Sequence, residues 1–582
     1  MAGRPLHHRL RVRGWLEVCS PLHVGGLGHD PDVDLPVALD GKSRLYVPGT
    51  SLAGVCRHWM TGRCTDANTL DELWGFTDNT DGRASRVFVR DGLICAEPNG
   101  EVPFPVTRLD ARTSVGIDRY TGAAAYGILF SRAVVPVGAF IRFELDVESG
   151  AADPADVGWL RDRARLAALL DALGHGEVRL GAAVTRGLGH VQLAHDVELE
   201  EHDLSNATGL IALLRGQPGR PGLDELDELD ELDEPRGEPG LDLHPRLAVT
   251  IDWTPDAPVM VRADRAGVAV DTLPLTGADG TDTVRLVLPG SSLKGALRSH
   301  AERILRTLEQ RRAPRPVGDP ITDATAFRAQ LDQLHLAKAL FGAAPPAAQR
   351  DVHRSILEIP VDPARGIKEL PDEQDERPDT PDKPIGAPSR QFSYGVGAVA
   401  VADCRSSQPL DGDLWRKMAT EPDLDARIAD RGLPAQDSPA KKPNHSGQNS
   451  QSHRQWLSSH GFSQADHVAI DRWTGGAADK LLFTILEPWQ IGWEPIRLTV
   501  DIARLGDDAN LSLALLMLVL RDLRDHRLPI GQGTTRGFGD ITATVTVDTP
   551  DGTLDLDEYL ASPAGELLRD TWTALWKEQA AA

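Results

Sequence analysis

Polar and apolar positions repeat in two similar series along the chain. Residues 9–19 alternate between polar and apolar side chains, as a half-buried strand does, and leucines recur at helical spacing within 159–173. The first series predicts strands over 9–19, 134–147 and 189–193, a helix that follows Pro48-Gly49 and runs to about Met60, and a helix over 159–173. The second predicts strands over 247–253, 496–502 and 541–547, and helices over 291–308 and 511–523. This order predicts an α+β fold of two tandem ferredoxin-like or RRM-like domains.

Four short sequence blocks recur in the same order in both halves. They are the steps Asp34 to Pro36 and Asp271 to Pro274, 47–57 (VPGTSLAGVCR) and 288–298 (LPGSSLKGALR), 117–124 (IDRYTGAA) and 470–477 (IDRWTGGA), and 181–189 (GAAVTRGLG) and 531–539 (GQGTTRGFG). Ordered matches of this kind indicate two copies of one domain.

The copies differ in length between the second and third blocks. Their offset grows from 241 residues at Pro48 and Pro289 to 353 at Asp118 and Asp471, so the second copy carries 112 additional residues there. We therefore predict a first domain at 1–205, an acidic low-complexity linker at 206–243, a second domain at 244–550 with a partly disordered insertion at about 343–464, and an acidic, helical tail at 551–582.

The charge of the chain is concentrated outside the repeated blocks. Asp and Glu number 86 against 62 Lys and Arg, for a net charge of −24, which argues against a generic polyanion binder. However, residues 194–242, 361–386 and 548–582 carry −12, −4 and −6, which leaves about −2 for the rest of the chain. Arginines in the repeated blocks can therefore dominate the electrostatic potential around those blocks.

Cysteines and apolar stretches limit the cellular setting. The five cysteines have no paired short spacing, so neither a disulfide framework nor a zinc site is expected. The basic N-terminus lacks an apolar signal region, and the most apolar stretch, 511–520, has only ten residues. We expect a cytoplasmic protein with no membrane partner.

The second block favours anion binding at a helix start. Its hydroxyl side chains and free amides resemble a phosphate site, and we expect Thr50 or Ser51 to cap the first helix. Capping plus a surface arginine is the alternative interpretation. The RNA-binding candidates from this block are Ser51, Arg57, Ser291, Lys294 and Arg298.

The third and fourth blocks also contain arginines. Arg119 precedes Tyr120 and Arg472 precedes Trp473, a pairing that suits single-stranded RNA, although each block could equally be a simple turn. Arg186 and Arg536 lie in glycine-rich loops, where small residues let a phosphate approach backbone amides. A tight turn is the alternative there.

Together the blocks resemble the RAMP superfamily of CRISPR-associated proteins, and in particular the backbone subunits of type III effector complexes. Two fused copies are similar to the double backbone subunit of type III-D variants. The resemblance implies a guide-RNA-binding subunit of a type III ribonucleoprotein that cleaves complementary target RNA. Its partners would be the guide RNA, the target RNA and other type III effector subunits.

The resemblance also implies catalytic aspartates in the loop after each first strand. By motif these are Asp34 and Asp271, which would also hold a divalent metal, Mg²⁺ or Mn²⁺, with Asp30 and Asp32 as further ligand candidates. Asp34 stands two residues before its proline and Asp271 three before its own. Three alternatives stay open: solvated loop aspartates, a purely structural guide-RNA scaffold, and a guide-processing endoribonuclease.

Overall fold

The structure is a computed structural model. It describes residues 4–221, 245–343, 395–416 and 457–581, apart from breaks at 29, 62, 64–66, 78–80, 101, 152, 154, 265–266, 268–269, 281, 319 and 414. The acidic repeat 223–232 and most of the predicted insertion lie outside the described residues.

The first domain mixes one large sheet with two long helices. Its strands are β1 (His8–Val18), β2 (Tyr46–Val47), β3 (Phe76–Thr77), β4 (Gly82–Arg83), β5 (Val87–Val89), β6 (Gly92–Cys95), β7 (Asp110–Ile117), β8 (Ala124–Val134), β9 (Phe140–Ser149), β10 (Val191–Leu193), β11 (Glu198–Asp203) and β12 (Arg220–Pro221). Its helices are α1 (Gly49–Thr61), α2 (Ala67–Trp74), α3 (Val157–Gly174) and α4 (Ala207–Leu214).

The second domain repeats this plan. Its strands are β13 (Arg246–Pro255), β14 (Thr276–Ala278), β15 (Thr283–Leu288), β16 (Gly342–Ala343), β17 (Gly395–Val396), β18 (Val399–Val401), β19 (Cys404–Arg405), β20 (Leu410–Asp411), β21 (Phe462–Ile470), β22 (Ala477–Pro488), β23 (Ile496–Asp501), β24 (Ile541–Thr549) and β25 (Gly552–Asp555). Its helices are α5 (Gly290–Leu308), α6 (Pro320–Asp332), α7 (His335–Phe341), α8 (Ala509–Arg524), α9 (Leu556–Ala561) and α10 (Pro563–Ala581).

The first strand of each domain lies at the centre of an antiparallel sheet. β1 pairs with β9 on one side and with β10 and β11 on the other, with Val12 opposite Leu145. β13 lies in the same way between β23 and β24, with Val249 opposite Leu498. The predicted tandem α+β architecture is therefore confirmed.

Each domain has its own hydrophobic core. The alternating apolar positions of β1 and β9 pack with α1 and α3, while those of β13 and β23 pack with α5 and α8. Leu516 of α8 and Val500 of β23 are fully buried in the second core. The stretch 511–520 is thus a core helix, and no described helix is long and apolar enough to cross a membrane.

The predicted N-caps of the second block are wrong. The helices start one or two residues earlier, at Gly49 and Gly290, and a carboxylate from a distant loop accepts the first amide. Asp91 Oδ1 lies 2.7 Å from Gly49 N, and Asp403 Oδ1 lies 2.8 Å from Gly290 N. A Cβ on Gly49 would lie 2.5 Å from the Val89 carbonyl oxygen, so the tight approach of helix and strand requires glycine.

The predicted insertion and linker boundaries need correction. Val399 and Val401, assigned to the insertion, are buried core residues of β18, which pairs with β23 as β5 pairs with β9. Likewise α4 and β12 fall within the predicted linker, yet β12 extends the first sheet through β11. Sequence spacing missed these elements because strands of two or three residues leave little periodicity.

The C-terminal region lies against the second domain. Tyr559 of α9 and Leu568 of α10 are buried in the second core. Asp555 begins α9 with a capping box, in which its side chain and that of Glu558 accept each other's backbone amides. Residues 556–581 are thus two packed helices.

The capping role of Asp91 can be tested by substitution. Asp91→Ala removes the acceptor for Gly49 N–H, so we expect the first domain to lose about 1 kcal/mol of unfolding free energy in urea. Asp91→Asn keeps an acceptor oxygen and should lose clearly less. An equal loss in both variants would show that the carboxylate does not act as the cap.

Candidate functional site

Each domain extends a two-stranded hairpin whose tip is the third repeated block. β7 pairs with β8 and β21 with β22, and both pairs shift register just before the tip. Asp118 Oδ1 accepts the amides two and three residues on at 2.9 and 2.8 Å, and Asp471 Oδ1 does the same at 2.7 and 3.0 Å. The aspartate of this block therefore shapes the turn.

The predicted catalytic aspartates occupy equivalent places at the hairpin bases. Asp34 Oδ2 accepts the amide and hydroxyl of Ser131 at 2.8 and 3.0 Å. Asp271 Oδ2 accepts those of Thr484 at 2.8 and 3.1 Å. Both aspartates also donate a backbone N–H to the same hydroxyl. The different spacing to proline thus leaves the two positions structurally equivalent.

Asp34 is exposed and ionised at neutral pH. The amide and then the hydroxyl of Ser131 hold the pKa of its carboxyl below the ordinary value, because both donate to the charged form. Its second oxygen, Oδ1, makes no hydrogen bond to a described residue. A charged oxygen is therefore open to a ligand.

Among the described residues, Asp30, Asp32 and Asp34 do not assemble into a group of three metal ligands. Asp30 instead accepts the backbone amide of Asp32. The described group that does bring three ligand atoms within 4.8 Å is Asp256, His526 and Asp540, all exposed and in the second domain. A cation beside Asp34 would therefore take one carboxylate from the chain, a donor set that fits Mg²⁺ shared with a substrate phosphate.

A basic pocket lies at the junction of the two domains. The first domain contributes Arg112, Arg132 and Arg186, and the second contributes Arg262 and the serine start of α5. We call it the junction pocket; its polar lining comprises Arg112, Thr113, Ser114, Arg132, Arg186, Arg262, Asp264, Ser291, Ser292 and Asp403. Four guanidinium groups converge with the N-terminal end of a helix of 19 residues.

Two of these arginines are held together against their mutual repulsion. Arg112 and Arg132 are direct cross-strand partners on β7 and β8, and each is only 7% exposed. Like charges in that register destabilise a hairpin. Arg112 Nη2 lies 3.7 Å from Asp403, and its Nη1 is buried without a hydrogen bond. The pocket thus contains a buried guanidinium N–H without an acceptor, next to the Asp403 carboxylate, whose buried Oδ2 also lacks a hydrogen-bond partner.

The glycine-rich loop of the first domain completes this junction. A Cβ on Gly187 would lie 2.1 Å from Asp403 Oδ1, so the loop packs directly on the carboxylate that caps α5. The neighbouring Arg186 stays exposed and lines the pocket. The loop thus joins the domains and presents its arginine, as the phosphate interpretation requires.

The candidates of the second block divide into two sets. Ser291 lines the junction pocket, and Ser51 corresponds to the pocket residue Ser292 by its distance from the glycine that starts the helix. Arg57 instead donates to the Gly75 carbonyl at 2.8 Å and to Asp71 at 2.6 Å.

Arg298 and Lys294 are also turned into the protein. Arg298 donates to the carbonyls of Gly342 and Leu331 at 2.9 and 3.0 Å. Lys294 Nζ donates to the Val399 carbonyl at 2.6 Å and is buried. We therefore leave Arg57, Arg298 and Lys294 out of the proposed RNA interface.

The first hairpin tip is docked on the second domain. Arg119 Nε lies 2.7 Å from Glu302 of α5, and Gln330 of α6 bonds both the Arg119 amide and the Asp118 carboxylate at 2.8 Å. Glu302 is almost fully buried and also accepts from Arg298. We call Glu302 and Gln330 the α5–α6 socket. The guanidinium of Arg315 lies over the Tyr120 ring, with its central carbon 5.9 Å from the centre of that ring.

None of the described residues docks the second hairpin tip and loop in this way. Trp473 is 95% exposed and Arg472 is exposed beside it. Arg472 makes no hydrogen bond or ion pair with any described residue. Arg536 and Gly537 are exposed, whereas Gly187, the counterpart of Gly537, is buried. The two copies thus share one geometry and differ in surroundings.

Sequence reasoning missed Arg112, Arg132 and Arg262. The first two lie in a hairpin whose alternation of polar and apolar residues is typical of a half-exposed strand. A cross-strand pair of arginines becomes visible only once the register is known. The spacing of the hairpin tip was the one signal that could have given that register.

The structure defines a tandem ferredoxin-like protein with an arginine-lined pocket at the junction of its two domains. The family model of the RAMP superfamily matches residues 15–192 and 272–542, one region in each domain and together well over half of the chain. The chain therefore belongs to the RAMP superfamily. It is accordingly a CRISPR-associated protein of an RNA-binding class. The search of curated proteins gave no match.

The buried lysine gives a pH dependence of stability. Burial, reinforced by Arg186, Arg298 and Arg504, lowers the pKa of Lys294 to about 7. Between about pH 7 and 10.5 the unfolded chain then holds a proton that the folded protein lacks. This group therefore favours folding increasingly as pH rises through that window, by up to about 1.4 kcal/mol per pH unit.

Substitution should reveal this effect. The stability of the wild type minus that of Lys294→Met, from urea denaturation, should rise between pH 7 and 9.5. Replacing an exposed lysine, as in Lys42→Met, provides the control for general pH effects. A Lys294→Met difference that stays constant over this range would contradict the assignment.

Proposed function

We propose that the chain is a guide-RNA-binding backbone subunit of a type III CRISPR ribonucleoprotein that cleaves the paired target RNA beside Asp34 and Asp271. One observation carries the proposal. The junction pocket holds Arg132, and the adjacent residue of β8, Ser131, anchors Asp34. A residue that lines the arginine-rich pocket and the residue that anchors the ionised carboxylate are therefore consecutive on one hairpin strand, which supports a site where an RNA backbone is both bound and cut.

The arginine pair supplies the binding part of this function. Arg112 and Arg132 offer buried guanidinium donors to phosphate oxygens, while Ser291 lies at the positive end of α5. An RNA phosphate in the junction pocket would offset the repulsion between the two arginines. Contacts of this kind read the RNA backbone and carry no base sequence information.

The carboxylate supplies the reactive part. Asp34 is held by Ser131 in a fixed orientation and keeps an oxygen free for a substrate-bridging cation. A divalent ion there, Mg²⁺ or Mn²⁺, would polarise the scissile phosphate and stabilise the charge that develops on it. Asp271 has the same anchoring through Thr484.

The two centres differ in one respect that favours the first. Ala465 and Ile485 occupy the hairpin register positions of Arg112 and Arg132, and Ile485 is buried. The second centre thus has the aspartate and lacks the arginine pair. We infer that RNA is held more firmly at the Asp34 centre, and that cleavage at the Asp271 centre is the weaker of the two.

A cleavage map of the assembled complex tests the catalytic part. With a matched target RNA and Mg²⁺, Asp34→Ala should remove one product band by at least about a hundredfold while guide RNA stays bound. Asp271→Ala should remove a different, weaker band. Asp32→Ala serves as a matched loop control and should cut normally. An unchanged band pattern in the Asp34→Ala, Asp271→Ala double variant would defeat the catalytic assignment and leave the scaffold.

The salt dependence of RNA binding tests the junction pocket. Arg132→Gln should weaken binding of single-stranded RNA several-fold at 150 mM salt and make the slope of log affinity against log salt shallower by about 0.7. Because it also removes a like-charge contact, the variant should unfold no earlier than the wild type. Arg569→Gln, an exposed arginine of α10, is the control. A drop in stability without a change in the slope would argue against a phosphate in the pocket.

A further inference from the structure

Three side chains of types that commonly bind metal ions meet where β13 ends and β24 begins. Asp256 follows β13, Asp540 precedes β24, and His526 lies just beyond α8. His526 Nδ1 lies 3.2 Å from Asp540 Oδ1 and 3.9 Å from Asp256 Oδ2. One ligand atom from each residue lies within 4.8 Å of the other two. We call these three residues the Asp–His–Asp cluster.

The spacing and chemistry of the Asp–His–Asp cluster suit a zinc ion. Zn²⁺ binds imidazole nitrogen and carboxylate oxygen at about 2.0–2.2 Å, so two ligand atoms of a tetrahedral ion lie about 3.4 Å apart. The two distances from His526 Nδ1 bracket that value, and the three side chains are about half exposed, so small rotations bring them to it. An imidazole with two carboxylates favours Zn²⁺ over Mg²⁺, because Mg²⁺ prefers oxygen ligands.

The described surroundings leave the negative charge of the cluster unbalanced. Asp256 and Asp540 form no ion pair with a described lysine or arginine, and their described ion-pair partner is His526. The arginines nearest to His526 in the sequence, Arg524 and Arg527, pair with other carboxylates. His526 also lies at the carboxyl end of α8, where the helix dipole favours a cation. A divalent cation would therefore offset the repulsion between the two carboxylates.

Neighbouring groups orient the two carboxylates. Thr542 Oγ1 donates to Asp256 Oδ2 at 2.8 Å, and the backbone N–H of Ile541 donates to Asp540 Oδ1 at 3.1 Å. The backbone N–H of Asp256 donates to the Asp540 carbonyl at 3.0 Å, which joins the two segments. Hydrogen bonds of this kind fix the direction of metal ligands. The two carboxylates are therefore oriented before an ion binds.

We propose that Asp256, His526 and Asp540 bind one Zn²⁺ ion, with water in the remaining coordination position. His526 and Asp540 bracket residues 527–539, which include the glycine-rich loop of the second domain. An ion bound to both would close this segment at its base, and Asp256 would fasten it to the end of β13. Zinc would thus stabilise the second domain and restrict the loop. The site uses no cysteine, so the spacing of the cysteines could not reveal it.

The first domain suggests a substitution that removes a ligand without harming the fold. Gly176 takes the place of His526, five residues before the glycine that opens each loop, and both residues have a positive φ, 68° and 58°. Glycine adopts this conformation at no steric cost, so His526→Gly should unfold no earlier than the wild type when metal is absent. Asp540→Asn is a second variant, which keeps the shape of the side chain and removes its charge.

Zinc titration of the full chain, freed of metal with EDTA and then dialysed, tests the inference. In competition with a chelator of known affinity, the wild type should bind one more Zn²⁺ ion per chain than either variant. The affinity of that site should fall at least about a hundredfold in both, because loss of a supporting hydrogen bond alone costs about 10- to 100-fold. Zinc should also slow hydrogen exchange of residues 527–539 several-fold in the wild type and leave it unchanged in the variants.

The matched control is His175→Gly, which removes an exposed histidine that lies beside Asp171 at the end of α3. This variant should bind as many Zn²⁺ ions as the wild type. Equal numbers of ions in the wild type and in both cluster variants would overturn the inference. Hydrogen exchange of 527–539 that zinc leaves unchanged in the wild type would overturn it as well. These measurements use no RNA, so their outcome is separate from that of the proposed RNA binding and cleavage.

Discussion

One buried carboxylate holds the two domains in their arrangement. Glu302 accepts from Arg298 of its own helix and from Arg119 of the first hairpin, and its side chain is only 2% exposed. A charge buried to that degree needs partners; Arg298 pairs with Oε1 and Arg119 with Oε2, so undocking the hairpin would remove one of the two partners of this carboxylate. The fixed hairpin in turn brings Arg112 and Arg132 up to the start of α5, where the junction pocket forms.

Equivalent residues of the two duplicated domains make different contacts. Where the first domain meets the second, an arginine, a glycine and a serine helix start become parts of one junction. In the second domain the corresponding loop residues Arg536 and Gly537 are exposed, and the hairpin base has Ala465 and Ile485 in place of the arginine pair. The repeated motif therefore has the same local structure in both copies, and the contacts that it makes depend on the residues that face it.

Much of the fold could be predicted because long periodic segments determine it. The alternation in β1 and β13 and the helical spacing in α3 and α8 placed these elements within two residues or so of their observed bounds. The short core strands β5 and β18 were beyond prediction, because three residues have no measurable period. The direction of the Arg57 and Arg298 side chains was also beyond prediction, because it depends on carbonyls that folding brings close.

By itself the sequence determined that the chain is a duplication, where its acidic charge lies and which aspartates belong to corresponding loops, because ordered repeats and composition are properties of the linear chain. Only the tertiary structure decided which arginines line the junction pocket, which bond to Glu302 and to backbone carbonyls, and that Asp91 and Asp403 cap the two motif helices. The two caps and the Arg119–Glu302 contact join residues more than 40 positions apart at a few ångströms, and no local pattern encodes such a meeting.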